Sequence, residues 1–374
     1  MRVGLVLGAG GVLGGAWLTG ALEAIADETD WDPGSAEYVV GTSAGSMIGA
    51  LVAAGVPPWF MVAHSRGELF DELSGPDGRP VAEADRAAGA VIRIHRGLPA
   101  LGPGSLRMVF TTLSKPLRHT PLQMLAGWLP VGIVSTDSLK DTVRRAVPGR
   151  WVEHPHYWAV ACDYGSGRRV PFGRLGSPPA HVGDAVAASC AIPGFYRPVR
   201  IGRRAFVDGG VCSASNLDLV AGRGLDLVIC LNPLSAASPG ALGADPFEWL
   251  PTLTRRAARG RLEREERKVR RFGTEVALIE PTPEDHAVMG RNWMNAERRQ
   301  HVIETARRTV AEQLARPPLR DLVAELPRGE PHKVRRPPGP PSTWPELRPA
   351  RVVPGPRPRA ERSRTVRSRT DRAA

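Results

Sequence analysis

The chain has 374 residues, 42% of them hydrophobic, with a net charge of +12 and an isoelectric point near 10.4. That is enough for one large domain or two ordinary ones, and no stretch reaches the length of a membrane span. The charge is not spread evenly: residues 327–374 hold 13 Lys and Arg against 4 Asp and Glu, leaving the first 326 with 37 against 34. The body therefore lacks the charge of a nucleic-acid-binding domain.

Residues 2–7 are a short apolar run, read as a buried strand. They superficially resemble a signal peptide but break at once into Gly8-Ala9-Gly10-Gly11-Val12-Leu13-Gly14-Gly15. A Gly-rich turn is expected over 8–15 and a helix over 16–28. Glycines let the backbone turn sharply and present successive N–H groups to an anion, so this turn is the oxyanion candidate. It is not a dinucleotide fingerprint, because the sixth position of the motif that Gly8-x-Gly10 would open is Leu13, and no Lys-Ser/Thr follows to make a P-loop.

A second strand is expected over 37–41. It runs into Gly41-Thr42-Ser43-Ala44-Gly45 and a helix over 45–54, stopped by Gly55-Val56-Pro57-Pro58. Glycines two before and two after a serine at a strand end describe a tight strand-to-helix turn that lifts the hydroxyl clear of the backbone. Ser43 is thus a candidate nucleophile; the competing reading is a serine that caps the helix. Residues 59–150 mix helical patterns with Pro and Gly breaks and read as a helical insertion over one face of a sheet. The pattern leaves open a lid, an acyl-chain channel or an ordinary helical layer.

Further strands are expected at 157–162, at 197–201 with 204–207, at 225–231 and at 275–279. A strongly charged helix over 252–272 and an amphipathic one over 295–315 complete an α/β pattern with parallel strands. In Phe206-Val207-Asp208-Gly209-Gly210, Asp208 stands at a strand end before two glycines. It is the candidate base, weighed against a plain Asp-Gly turn. Cys162, Cys190, Cys212 and Cys230 form no C-x-x-C and have no histidine at metal-ligand spacing, which favours reduced, buried thiols and a cytoplasmic protein. His181, His286 and His301 follow Ser43, but none follows a convincing strand. A Ser–Asp–His order using Asp208 and His286 stays formally allowed. The tail over 327–374 carries 11 of the 36 prolines and reads as disordered. It is read first as solubilising, with a peripheral contact to anionic membrane or nucleic acid as its other readings.

Together these motifs resemble the patatin-like phospholipase family over roughly residues 3–232. The carriers are the Gly-rich turn, Gly41-Thr42-Ser43-Ala44-Gly45, Ala188-Ser189-Cys190-Ala191-Ile192-Pro193-Gly194-Phe195-Tyr196-Arg197-Pro198-Val199, and Phe206-Val207-Asp208-Gly209-Gly210. The resemblance implies a three-layer α/β/α sandwich with a mostly parallel central sheet, as a catalytic domain over 1–316. It implies a Ser43–Asp208 dyad without histidine, and an oxyanion hole from the N–H groups of Gly10 and Gly11, with Val12. Gly41, Gly45, Gly209 and Gly210 are the motif glycines. The implied substrates are acyl esters of lipids (phospholipid, lysophospholipid or acylglycerol), with no metal or organic cofactor and no specific nucleic acid. One departure is Leu13, where many members carry Arg or Lys; it removes charge assistance from this loop. The other functional readings are a non-catalytic lipid- or partner-binding module of the same fold and a Ser-His-Asp esterase.

Overall fold

In chain order the elements are β1 (Val3–Leu7), α1 (Gly11–Thr29), β2 (Tyr38–Thr42), α2 (Ala44–Ala53), α3 (Pro58–Arg66), α4 (Leu106–Ser114), α5 (Pro121–Trp128), α6 (Asp137–Ala146), β3 (Tyr157–Asp163), β4 (Arg169–Phe172), α7 (Val182–Ser189), β5 (Val199–Ile201), β6 (Arg204–Asp208), β7 (Leu227–Leu231), α8 (Trp249–Arg270), β8 (Glu275–Ile279), α9 (Pro283–Met289), α10 (Arg299–Leu314) and α11 (Leu319–Val323). The computed structural model describes residues 1–66, 102–116, 119–147, 149–235 and 249–329, without the side chains of 249–257. Much of the expected 59–150 insertion and nearly all of the 327–374 tail lie outside the described residues.

The strands form one sheet in the order β5-β6-β3-β2-β1-β7-β8, with β4 also paired to β3. From β3 through β8 every pairing is parallel, whereas β4, β5 and β6 join antiparallel. β1, β2, β3 and β7 are buried along their whole length. Alternate side chains leave a strand on opposite faces, so a strand covered on both sides needs apolar residues at every position. Leu5 and Leu7 accordingly join the core under α1, α2, α7 and α10, while Val6 joins the core under α8 with Leu262 and Val269. The result is a mixed α/β sandwich of helix, mostly parallel sheet and helix.

α1 begins at Gly11, five residues before the start expected from the sequence. Glycine is a poor helix former, but here the chain needs small residues more than propensity. A Cβ on Gly10 would lie 2.6 Å from the Gly14 Cα and 2.9 Å from the Pro233 Cβ. The helix then buries Trp17, Leu18, Leu22 and Ile25, each worth roughly 1.5–3 kcal/mol of transfer free energy. At the other end of the chain Val323 and Leu326 still pack into the main core, beyond the domain end expected at 316. Among the described residues no single helix is long and apolar enough to cross a membrane.

Candidate active site

β2 carries the chain to the C-terminal edge of the sheet, and the turn into α2 takes one residue. That residue is Ser43, with φ 52° and ψ −123°. A side chain rarely adopts this left-handed region, which costs on the order of 1–3 kcal/mol and persists only where the surroundings over-determine it. They do so here. The Ser43 N–H donates to the Ser189 Oγ at 2.9 Å, and Ser189 in turn donates to the Val160 carbonyl at 2.5 Å. The Ser43 carbonyl accepts from the Ser46 Oγ at 2.7 Å, and the Tyr157 hydroxyl holds the Ser46 carbonyl at 2.6 Å. The flanking glycines are fixed by close approach: a Cβ on Gly41 would lie 2.3 Å from the Gly45 carbonyl oxygen, and one on Gly45 2.1 Å from that of Leu7. The serine makes no side-chain cap to α2, so the capping alternative does not describe it.

Asp208 ends β6, which pairs with β3 so that Asp208 faces Ala161. Its N–H donates to the Ala191 carbonyl at 2.9 Å, joining it to the loop after α7. Its carboxylate accepts from the Gly210 N–H at 2.7 Å, and the Ser43 hydroxyl lies near enough to favour its charged form. The side chain is only 5% exposed. Burial drives its pKa up to about 6, against the pull of the Ser43 hydroxyl and the Gly210 N–H. Gly209 lies where a Cβ would stand 2.2 Å from the Val160 carbonyl oxygen. Gly210 borders the Gly-rich turn, since a Cβ there would meet the Ala9 Cβ at 3.5 Å.

The Gly-rich turn lies against both motifs. Among the described residues the N–H groups of Gly10, Gly11 and Val12 have no backbone acceptor, whereas that of Leu13 is tied to the Trp293 carbonyl at 3.0 Å. Helix geometry leaves such first-turn donors unpaired, and the positive end of the helix dipole adds to them. Gly11 and Val12 line the same cavity as Ser43. Gly10 stands at the helix cap, just outside that lining.

This cavity of about 140 Å³ runs between α1, α2, α3 and α10. Its walls are mostly apolar, and three are methionines: Met47, Met61 and Met294. Cys190 also faces it, beside Ser43 and Asp208, and burial pushes its thiol far up, so it stays neutral. The histidines considered from the sequence are elsewhere. His181 caps α7, accepting from the Gly183 N–H at 3.2 Å; His286 lies 6.5 Å from the Trp293 ring; His301 is exposed on α10. The cavity's histidine is His64, stacked on Phe60. Among the described residues no group of three or more His, Cys, Asp or Glu is arranged to hold a metal ion.

Ser189, Ser46, Tyr157, Met294 and Arg299 are the site's unforeseen members. Ser189 and Cys190 do fall in the Ala188–Val199 stretch that carried the resemblance, and a buried serine there was the available signal.

A family model described as patatin-like phospholipase matches residues 5–221. Uncharacterized NTE family proteins of Mycobacterium bovis and of two strains of Mycobacterium tuberculosis are each 31% identical over 129 residues, which is 33% of this chain and 34% of theirs. The alignment thus spans about a third of the length of these curated relatives. The crystal structure of VipD from Legionella pneumophila is similar over 84% of this chain and 67% of that one, with 14% identity and a TM-score of 0.40.

Proposed function

The chain belongs to the patatin-like phospholipase family, and from that premise we propose that it hydrolyses acyl ester bonds of lipids through Ser43 and Asp208. The observation that carries the reading is the pairing of the two: a hydroxyl on a left-handed turn, beside a carboxylate that burial has made more basic. A carboxylate of ordinary pKa, about 4, is a poor base for a serine hydroxyl. One raised to about 6 is still mostly ionised at neutral pH and accepts a proton more readily.

In this reading the Ser43 Oγ attacks the ester carbonyl carbon and Asp208 takes its proton. The carbonyl oxygen, now an oxyanion, is received by the free N–H groups at the start of α1, from Gly11 and Val12 with Gly10 beside them. Each such donor is worth roughly 2.7–4 kcal/mol of transition-state stabilisation in a serine hydrolase. Asp208 returns the proton to the departing alkoxide. It then deprotonates a water that attacks the acyl-serine and returns that proton to the Ser43 Oγ as the Oγ–acyl bond breaks and the acid leaves. The apolar cavity beside Ser43 accepts the acyl chain. A triad through His286 is disfavoured, because that ring sits on α9 and does not line the cavity.

An aggregated substrate is supported by α4 and α5, which turn Leu106, Phe110, Leu113, Leu122, Leu125 and Trp128 outward. Thr120, at the start of α5, donates to the Val211 carbonyl at 2.9 Å, so this apolar pair abuts the Asp208 turn.

The test is hydrolysis of p-nitrophenyl esters of graded chain length by the protein and by Ser43→Ala and Asp208→Ala. Turnover by the wild type and a loss of about 10⁴-fold or more in both folded variants is the expected result. Activity retained in Asp208→Ala removes the dyad, and an inert wild type turns the reading toward a binding module.

A further inference from the structure

The cavity that holds Ser43 is lined by one arginine and, among the described residues, by no carboxylate. The arginine is Arg299, the first residue of α10. Its charged neighbours on this helix are all engaged. Arg307 pairs with Glu23 and Asp27, and Arg308 with Glu284 and Glu312. Arg298, which caps the helix, donates to the Val288 carbonyl at 3.2 Å. Of the arginines of α10 and its cap, Arg299 alone has no hydrogen bond or ion pair among the described residues. It is half-buried, and burial alone acts on it, lowering its pKa.

A cation drawn partly out of water without a counter-ion is unfavourable, and the fold gains no ion pair by placing it there. The Gly-rich turn brings no cation of its own, since Leu13 is fully buried in the core. The remaining walls are largely apolar: Met47, Ile48, Leu51 and Ile303 among them. An apolar channel with one guanidinium and, among the described residues, no carboxylate in its lining is complementary to an amphiphile, a hydrocarbon chain ending in an oxyanion. The planar fork of arginine suits two oxygens of a phosphate or carboxylate at once.

We propose that Arg299 is an anion-binding subsite of this cavity, one that receives the phosphate or carboxylate oxygens of an amphiphilic acyl ester or its product. The inference rests on the lipid acyl hydrolase reading for its biological sense and on the cavity alone for its chemistry. It makes Arg299 a specificity residue contributed by the C-terminal part of the chain, outside residues 5–221 that the family model matches.

The experiment is calorimetric binding of dodecyl phosphate, laurate and dodecanol, each below its micelle-forming concentration, to the full chain and to Arg299→Gln and Arg299→Lys. The wild type is expected to bind dodecyl phosphate or laurate about 10- to 100-fold more tightly than dodecanol, the size of a charge-assisted hydrogen-bonded contact. Arg299→Gln brings the anion's affinity down to that of the alcohol, and Arg299→Lys recovers part of it. Preference for dodecyl phosphate points to a phospholipid head group, and preference for laurate to the released acid; either supports the subsite. Equal affinity of the wild type for anion and alcohol overturns it. So does an Arg299→Gln variant that keeps the anion's advantage or loses all three ligands together. Binding is read without turnover, so a protein inert on p-nitrophenyl esters sinks the hydrolase reading and leaves this one standing.

Discussion

The elbow at 41–45 and the turn at 206–210 each hold a polar side chain at the end of a strand, and they hold it by different means. At the elbow the side chain is ordinary and the backbone is not: Ser43 sits at φ 52° in a frame of backbone contacts and three hydrogen-bonding side chains, Ser189, Ser46 and Tyr157. At the second turn the backbone is relaxed, with Asp208 at φ −49° and ψ 133°, and the perturbed element is the carboxylate. Asp163, across the same strand pair, shows that burial alone does not decide this. Burial pushes Asp163 up as well, but the Ser166 N–H and hydroxyl and the Arg204 guanidinium overcome it and hold it below the usual carboxylate range. Asp208 has the nearby Ser43 hydroxyl and the Gly210 N–H but no cation, so desolvation wins. One half of the site is prepared by strain and the other by the removal of water.

The sharpest break in this comparison comes from the glycines. In Gly45→Ala the new methyl meets the backbone of Leu7, which cannot yield, so a stability loss of about 3 kcal/mol or more is expected in denaturant unfolding. In Gly210→Ala the nearest atom is an Asp208 carboxylate oxygen at 3.0 Å, which can shift. That variant should fold nearly normally and lose ester hydrolysis. Equal destabilisation by the two would mean that the second turn is as rigid as the first.

Next in size is the acid limb of kcat/KM. The base must be ionised, so activity should fall below a midpoint of about 6, roughly tenfold per pH unit. The same group has the opposite effect on stability. Its folded pKa exceeds the unfolded value, so it stabilises the fold at low pH and that contribution is lost as pH rises from about 4 to about 6. A limb near pH 4 would show a hydrated carboxylate and end the contrast with Asp163.

The smallest effect isolates the strain. Ser43→Gly and Ser43→Ala both remove the hydroxyl, so their difference reports the backbone. Glycine should be the more stable by about 1 kcal/mol in thermal unfolding, reversing the usual order of the two residues. Alanine at least as stable as glycine would show that the elbow carries no strain.

Much of this was legible in the sequence because it is written locally. Gly41 and Gly45 announce a tight turn around Ser43, and Gly209 and Gly210 do the same after Asp208, since close backbone approach admits no side chain. Strand positions were legible because a sheet covered on both faces demands unbroken apolar runs such as Val39-Val40 and Val228-Ile229-Cys230. The start of α1 was misplaced because a glycine run signals a turn. Here Gly14 and Gly15 are helical, and Gly14 is small for the sake of Pro233. The braces were illegible for a different reason: Ser189 meets Ser43 across 146 residues, a distance at which a lone serine leaves no pattern. Arg299 was hidden in a charged helix, where arginines look alike until their partners are known.

Met47, Met61 and Met294 on the cavity wall have a further consequence. Thioether side chains are unbranched, turn about three bonds and are highly polarizable, so the stretches of wall they form can change contour. Those stretches can adjust to hydrocarbon of differing shape at less cost than the branched Ile48 and Ile303 beside them, so tolerance of a guest's middle would be greatest where the methionines lie.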